Sequence, residues 1–387
     1  MTLSLDKSTW KRVAFGDAIS SVTDRVDNPS EAGVERYVGL EHLDPGAMTV
    51  QRWDRPEKVE AQKLRFQPGD VIFGRRRAYQ KKVARADFEG ICSAHALVLR
   101  AIPDQVHPDF LPVFLSSDYF LDRAIAISVG SLSPTVNWRD LKVQEFDLPP
   151  LDEQKRIANL LWAIERHRKS LVGQSQSLSV GRERLIESGL PGEVSKVSLG
   201  KAANISSGIT LGPARRAMST TAPYLRVANV HRGRLALAEI KRVGATEVEI
   251  AAKGLERGDV LVIEGHASVS EIGRAAIWNR DDSPLFQNHL FRVRAMSSFR
   301  SAFLLEWINS KLGRAYIRTV AKSTSGLHTI NSTVLKAMPV PAIDLTKQDS
   351  LLERLAVIDH ARASLAAEST LLGALLASAL TDIFEGN

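Results

Sequence analysis

The chain has 387 residues, of which 44% are hydrophobic and 25% are charged, so it is globular rather than disordered or fibrous. It is too long for one ordinary hydrophobic core, and we expect at least two domains. The 51 Lys and Arg exceed the 44 Asp and Glu by a net charge of +7, which favours a polyanionic partner if the cations share one surface.

Two features that the sequence lacks, membrane-spanning segments and paired cysteines, narrow the class of protein. The N-terminal residues lack the apolar segment of a secretory signal, and no stretch reads as long and apolar enough to span a bilayer, so we expect no membrane association. Cys92 is the only cysteine, so it cannot form an internal disulfide. We expect it to be buried, in a protein of the reducing cytoplasm.

The chain repeats itself with an offset of 194 residues. Thr135 and Thr329, and likewise Gln154 and Gln348, stand at matching places in segments that share few other letters. Further upstream, "FQPGDVIFG" at 66–74 corresponds to "LERGDVLVI" at 255–263. We therefore expect two pseudo-symmetric copies of one plan: globular domains at 1–150 and 191–342, each followed by a long helix, at 151–190 and 343–387.

Each globular domain reads as an α+β module with a mixed or antiparallel sheet. Short β-like runs at 71–73 and 96–100 precede a helix at 109–127 in the first copy. Runs at 260–264 and 290–294 precede a helix at 303–319 in the second.

A basic segment, "GRRRAYQKKVAR" at 74–85, follows the first of these strands and contains no acidic residue. Such a loop suits phosphate neutralisation, and its arginines could read guanine edges. The alternative is a solvated charged loop. The candidate contacts to nucleic acid are Arg75, Arg76, Arg77, Tyr79, Lys81, Lys82 and Arg85.

The corresponding segment of the second copy, 264–280, has little charge and many small polar groups, so the two modules should prefer different base sequences. Side-chain amides pair well with adenine, although strand-edge packing would equally explain the amides at 287 and 288. The candidates here are His266, Ser268, Ser270, Arg274, Gln287 and Asn288. We expect the shared histidines, His95 and His289, to be hydrogen-bonded core residues.

Polar loops at 128–137 and 322–331 precede the end of each module. Asn137 and Asn331 are predicted to be helix N-caps. The hydroxyl and basic side chains before them are candidates for contact with a nucleic-acid backbone: Ser131, Thr135, Lys322, Ser325 and His328.

A long helical segment begins after Pro149-Pro150, with acidic residues in its first turn. Its apolar residues recur every seven positions, and the pattern returns in the second copy, which predicts an antiparallel coiled coil between the two helices. The seam residues are Ile157, Ile164, Leu171, Leu178, Leu185, Leu351, Ile358, Leu365 and Leu372. Arg168 and Arg362 interrupt the second seam line at matching positions, where polar residues can fix register.

No catalytic motif is evident. The sequence has no phosphate-binding P-loop, no dinucleotide-binding glycine pattern, no nucleophile elbow and no histidine or cysteine spacing typical of a metal site. We therefore expect no catalytic residue and no metal in this chain.

With its repeat, basic segment and long helices, the sequence resembles the specificity subunit of type I restriction–modification enzymes over essentially its whole length. The resemblance rests on "WKRVAFGD", "PGDVIFGRRRAYQKKVARADFEGICSAHALVL", "IGRAAI" with "QNHLFRV", and above all "LPPLDEQKRIA" leading into the long helix. The last element returns in weakened form as "VPAIDLTKQDSLL", where Lys347 replaces Glu153.

The resemblance implies a non-catalytic subunit in which each module is a target-recognition domain that reads one half of a split double-stranded DNA sequence. It also implies that the long helices hold two DNA adenine methyltransferase subunits, which bring S-adenosylmethionine, and that a restriction motor subunit can join them. The alternative is a stand-alone DNA-binding regulator or defence-system adaptor without a methyltransferase.

Overall fold

The computed structural model describes residues 5–188, 194–324 and 326–385. The chain forms two compact units: unit 1 comprises Met1–Gly173 and Leu365–Asn387, and unit 2 comprises Gln174–Ser364. Each unit thus holds one globular module, here module 1 or module 2, and part of each long helix. The domain borders predicted at residues 150, 190 and 342 stay a prediction.

Module 1 is built from ten strands and four short helices. The strands are β1 (Lys11–Ala14), β2 (Ile19–Val22), β3 (Arg25–Val26), β4 (Tyr37–Val38), β5 (Lys63–Phe66), β6 (Val71–Phe73), β7 (Val83–Arg85), β8 (Gly90–Ser93), β9 (Leu97–Ala101) and β10 (Glu145–Leu148). The helices are α1 (Phe15–Ala18), α2 (Leu111–Ser116), α3 (Asp118–Ala126) and α4 (Trp138–Leu141), and the long helix α5 (Leu151–Ser188) follows.

Two four-stranded sheets organise module 1. One is antiparallel, in the order β2-β9-β6-β7, and the other has the order β3-β5-β8-β4 with β4 parallel to β8. Strand β1 pairs antiparallel with β10, so Lys11 lies opposite Leu148 and the module closes just before α5 begins. This mixture of sheets and helices confirms the predicted α+β class. Cys92 is fully buried, as predicted.

Module 2 repeats this plan. Its strands are β11 (Lys196–Ser198), β12 (Ala203–Ser207), β13 (Thr221–Leu225), β14 (Val230–His231), β15 (Arg234–Leu235), β16 (Lys241–Gly244), β17 (Val260–Ile263), β18 (Gly265–His266), β19 (Ala275–Ile277), β20 (Leu285–Phe286), β21 (Leu290–Ala295), β22 (Lys322–Thr324), β23 (Leu327–Thr329) and β24 (Pro339–Pro341). Its helices are α6 (Leu199–Ala202), α7 (Glu247–Lys253), α8 (Ser301–Asn309), α9 (Lys311–Val320), α10 (Ser332–Lys336) and the long α11 (Leu345–Phe384).

The sheets of module 2 correspond to those of module 1. The order β12-β21-β17-β19 matches β2-β9-β6-β7, and the pair β11-β24 matches β1-β10. A second sheet, β16-β13-β20, is again mixed because β13 runs parallel to β20. A small additional sheet has the order β18-β23-β22.

The helix predicted near the end of each module is in fact two helices. Ser117 separates α2 from α3, and Ser310 separates α8 from α9. Both serines are buried and have an extended backbone, and each side-chain oxygen accepts a hydrogen bond from an amide in the first turn of the second helix. The single helix predicted over 109–127 and over 303–319 is therefore wrong, because a serine N-cap restarts the helix in each copy.

A buried glutamine ties each module to its long helix. The Gln154 side chain accepts a hydrogen bond from the amide of His107 and donates to the carbonyls of Gln105 and Pro149 at 2.8–3.0 Å. Gln348 makes the same three bonds in module 2, to backbone groups of Arg300, Ser298 and Ile343. The shared glutamine of the repeat therefore has a structural role at the module border.

The two long helices pack against each other in each unit. In unit 1, the His167 ring lies 2.9 Å from a Glu368 carboxylate oxygen. In unit 2, Arg182 bonds to Asp359 at 2.8 Å. The nine predicted seam residues are all buried or half-buried.

Neither of the two seam arginines contacts the opposite helix through an ion pair among the described residues. Arg168 pairs with the fully buried Glu165, three positions earlier on its own helix, and Arg362 pairs with Asp359 in the same way. The register of the helices in unit 2 is held instead by Arg182, which also bonds to Glu306 of α8.

Helix α11 corrects one expectation. By length and composition alone it contains a window apolar enough to cross a membrane, contrary to the expectation that no such stretch exists. A single helix of this kind is weak evidence, since helices of soluble cores satisfy the same criterion. In the fold, Leu351 and Leu355 pack into the core of unit 2, and Leu376 and Ile383 pack into that of unit 1.

Candidate nucleic-acid interface

The basic segment of module 1 folds as a tight turn after β6. Arg77 and Lys81 adopt left-handed backbone conformations, with φ of 56° and 51°, which non-glycine residues rarely do. Between them Ala78 is buried in the core, and its neighbour Tyr79 is 53% exposed. The anchored alanine thus holds the turn against the module while the flanking side chains face solvent.

This turn lies beside the polar loop at 128–137. The amide of Arg77 donates to the carbonyl of Pro134 at 2.7 Å, and the amide of Val136 donates to the carbonyl of Arg75 at 3.0 Å. The Ser133 hydroxyl accepts bonds from the Arg76 and Arg77 guanidinium groups, both at 3.3 Å. Two segments identified separately in the sequence therefore form one surface, here called the arginine edge (75–77 and 131–135).

The six basic candidates divide into two groups. Lys81 pairs with Asp118, and Lys82 donates to a backbone carbonyl at 2.6 Å. Arg85 pairs with Asp109 and Asp87, and its guanidinium lies 4.2 Å from the centre of the Trp162 ring.

The other group consists of Arg75, Arg76 and Arg77, which form no ion pair with any residue in the described ranges. Their charge is therefore not neutralised by neighbouring carboxylates of the fold. These three side chains are the ones available to a polyanion.

His95 lies next to these arginines and is exposed, so the expectation of a core histidine is wrong. Partial burial, followed by the charges of Arg76 and Arg75, lowers the pKa of His95. At neutral pH the ring is therefore uncharged and can both donate and accept hydrogen bonds. His95 is thus an additional polar group of the arginine edge.

Module 2 builds the corresponding surface from different side chains. Strand β18 pairs with β23, so that Gly265 lies opposite Thr329 and His266 opposite His328. Thr329 is the repeat counterpart of Thr135, which bridges to Arg76 in module 1. The small sheet also includes Lys322 on β22. Module 2 thus presents histidine and lysine where module 1 presents arginine.

Serines order the loop after β18. The amide of Ser268 donates to Nδ1 of His266 at 3.0 Å, and the Ser268 and Ser270 hydroxyls are 2.8 Å apart. Because Nδ1 accepts this bond, the neutral ring carries its proton on Nε2, as a donor. Ser325, the remaining candidate of this region, lies outside the described residues.

The other candidates of module 2 are less exposed. The Arg274 side chain is 11% exposed and pairs with Glu271, so it faces the protein. Gln287 and Asn288 are half-buried, and their backbone amides donate to the carbonyls of Leu225 and Ile209, respectively.

His289 is also exposed, contrary to expectation, and its Nδ1 lies 2.6 Å from a Glu264 carboxylate oxygen. The pair lines a cavity of about 410 Å³ that Lys322, Thr329 and Asn331 also border.

The two predicted N-cap asparagines differ. Asn331 is confirmed as the cap of α10, since its side-chain oxygen accepts from the amide of Val334 at 3.0 Å. Asn137 occupies the N-cap position of α4 but makes no such bond, and its side chain donates to Asp140 instead. The predicted N-cap position is therefore confirmed for Asn137, without a capping hydrogen bond from its side chain.

Sequence reasoning missed two groups near the surface of module 2. Glu264 follows β17 directly, and only its pairing with His289 shows that it belongs to this surface. Arg216 is exposed in the "GPARRA" segment, whose adjacent arginines were the signal that could have found it. Its neighbour Arg215 is held by Glu249.

Within the described ranges, no cluster of three or more His, Cys, Asp or Glu side chains could hold a metal ion.

Residues 39–176 match the family described as Type I restriction modification DNA specificity domain. The StySPI type I restriction enzyme specificity subunit of Salmonella potsdam is 23% identical over 327 residues, which cover 77% of this chain and 69% of that protein. The EcoKI specificity subunit of Escherichia coli K12 is 22% identical over 329 residues, with the same coverage.

Solved structures share the fold. A chain from a study of complex assembly and conformational transition of the type I R-M system has a TM-score of 0.58 at 20% identity, over 96% of this chain and 97% of that one. The type I restriction-modification S subunit from M. genitalium has a TM-score of 0.53 at 15% identity, over 99% of both chains.

The fold and the matched domain are thus similar to those of type I DNA specificity subunits. The resemblance recognised in the sequence is confirmed: residues 39–176 match the DNA specificity domain of type I restriction–modification systems, and the chain is similar to type I specificity subunits.

Proposed function

We propose that the chain is a specificity subunit of a type I restriction–modification complex and that it reads a bipartite sequence of double-stranded DNA, with one half bound by each module. The observation that carries the proposal is the repeated surface: the same backbone pairing, Arg76 with Thr135 and Gly265 with Thr329, presents arginines in one module and histidines in the other. Guanidinium groups favour guanine because they donate two parallel hydrogen bonds, which an imidazole ring cannot do, so the two half-sites differ in sequence.

The long helices act as the spacer in this proposal, paired as an antiparallel coiled coil. Helix α5 has 38 residues, and at about 1.5 Å per residue its length is about 57 Å. One turn of B-DNA is about 34–36 Å. Two reading surfaces separated by such a spacer would leave several unspecified base pairs between the half-sites.

The partners in the proposal are two DNA adenine methyltransferase subunits and a restriction motor subunit. The methyltransferases would bring S-adenosylmethionine, and no cofactor is assigned to this chain. Support comes from large apolar side chains that α11 leaves exposed, with Val357 and Leu371 each 70% exposed. The complex would work in the cytoplasm, in defence against phage DNA.

The test is a genome-wide map of methylated adenines in cells with and without this chain. We expect one motif of two short defined segments, separated by unspecified bases, that disappears when the chain is deleted. A single uninterrupted motif would contradict the bipartite reading. An unchanged map, with the chain binding DNA alone, would favour the stand-alone regulator.

A further inference from the structure

Leu132 stands out among the apolar side chains of module 1. It is 91% exposed, and it lies in the loop 130–134 that forms the tip of the arginine edge. Val129, at the base of the same loop, is 64% exposed. Isolated exposed apolar residues are common on protein surfaces. Whether Leu132 has a function therefore depends on which residues surround it and on how firmly its loop is held.

The loop that carries Leu132 is held firmly at its base. Val129 and Thr135 exchange two backbone hydrogen bonds, at 3.0 and 2.9 Å, and close the loop as a hairpin. Gly130 has φ of +114°, a conformation that glycine tolerates and other residues rarely adopt. The following strand segment is bonded to the backbone of Arg75 and Arg77. Leu132 is therefore an apolar tip on a supported base.

The surroundings of this tip are cationic. Ser133, the next residue, accepts hydrogen bonds from Arg76 and Arg77. No carboxylate pairs with these arginines among the described residues. A polyanion attracted to the arginines would therefore meet Leu132 first, and duplex DNA combines such a charged backbone with apolar base faces that can be opened.

We propose that Leu132 is a wedge that module 1 inserts at a base step of its DNA half-site. This inference rests on the proposed function. The arginines bind the flanking backbone, and the leucine enters between neighbouring bases and partly unstacks them, which favours half-sites with a deformable step. Leu132 is thus a positioning and specificity-determining residue that needs no hydrogen bond to a base.

Module 2 differs here, because the offset of 194 residues places Gly326 at the position of Leu132. Leu327, near the tip of its hairpin, is 45% exposed and lines the cavity beside Glu264 and His289. Its side chain is half-covered by its own module, so we assign the wedge to module 1 alone. Distortion of the DNA is therefore expected in one half-site and not in the other.

The experiment uses the full chain with its methyltransferase partners and a duplex that carries the methylated motif, with 2-aminopurine at each position of the module 1 half-site in turn. With the wild type, we expect increased fluorescence at one base step. Leu132→Ser should abolish that increase and weaken duplex affinity roughly five- to tenfold. The dependence of affinity on salt should not change, because the substitution leaves every cation that binds a phosphate in place.

Val143→Ser is the matched control, since Val143 is 62% exposed on module 1 but lies outside the loop. Leu132→Met should retain the fluorescence signal and most of the affinity. Leu132→Ser should leave the melting temperature unchanged, because the side chain is already solvated in the free protein.

If Leu132→Ser matches the wild type in both readouts while Arg76→Ala loses affinity, the wedge is wrong and the proposed function stands. If the wild type binds no duplex, both are wrong.

Discussion

Three adjacent arginines of the basic segment carry positive charge that no ion pair neutralises among the described residues. Arg75, Arg76 and Arg77 have no carboxylate partner there, whereas Lys81 pairs with Asp118. Formal charge alone would rank Lys81 with the arginines. The structure separates them, since a cation already paired has less to gain from a phosphate.

We predict that replacing Arg76 and Arg77 together by alanine weakens duplex binding roughly tenfold or more. The slope of log affinity against log salt should fall by about 0.9 for each phosphate that the variant no longer neutralises. Fluorescence anisotropy over a salt series measures both quantities. Lys81→Ala is the control, with affinity reduced by no more than about twofold. Equal reductions of affinity in both variants would show that the ion pair between Lys81 and Asp118 does not keep Lys81 from binding DNA.

Glu249 provides a prediction about pH at the same scale. The bidentate hydrogen bond from Arg215, together with the amide of Thr246, lowers the pKa of Glu249 from its usual value to about 2. A carboxylate whose pKa is lower in the folded than in the unfolded protein stabilises the fold at every pH above its pKa in the unfolded protein. This stabilisation is lost as the pH falls towards the pKa of the folded protein. The stabilisation should therefore disappear between about pH 4.5 and pH 2.

Urea unfolding at pH 5 and at pH 3 tests this. Wild type should lose stability over the interval, and Glu249→Gln should be less stable at pH 5 and lose less on acidification. Glu247→Gln, at an exposed position in the same helix turn, is the control and should behave like wild type. If wild type and Glu249→Gln lose the same stability between pH 5 and pH 3, the acid sensitivity comes from other groups than Glu249.

At the scale of elements, the joint between each module and its long helix depends on the side-chain amide of one glutamine. Gln154 and Gln348 each satisfy one backbone N–H and two backbone carbonyls while almost fully buried. Buried backbone groups that lose their partners are costly, so each joint is stable only with its glutamine in place.

We predict that Gln154→Ala lowers the free energy of unfolding of unit 1 by about 2–4 kcal/mol, because three buried backbone groups lose a partner. Gln348→Ala should act equally on unit 2. Gln176→Ala, at an exposed position of α5, is the control and should change stability by less than about 0.5 kcal/mol. Chemical denaturation followed by circular dichroism measures all three. A destabilisation no larger than that of the control would mean that water replaces the amide.

The sequence predicted what depends on periodicity and repetition. The strands at 71–73 and 260–264, the start of α5 after Pro150 and the apolar seams follow from local pattern. It did not predict the breaks at Ser117 and Ser310, since a serine within an apolar run becomes an N-cap only when the packing of two helices requires it. It also could not bring the 74–85 and 128–137 segments together, because strand pairing across fifty residues is set by the fold.

At the scale of the whole molecule, two modules of one plan carry different surfaces. We predict that replacing residues 1–150 by the corresponding module of another specificity subunit changes one half of the methylated sequence and leaves the other half and the spacing unchanged. Sequencing that detects methylated adenine is the measurement. The reciprocal exchange of 191–342 should change the opposite half. A change in both halves, or in neither, would contradict separate reading by two modules.

The glutamine joints have a consequence for inheritance. Every hydrogen bond that the Gln154 and Gln348 side chains make goes to a backbone group, so these bonds can form with any incoming module whose backbone follows the same course. A gene segment that encodes a foreign module could therefore recombine at this border and yield a folded subunit in a single event. Such a lineage could acquire new DNA sequences by exchanging whole modules, without a series of weakened intermediates.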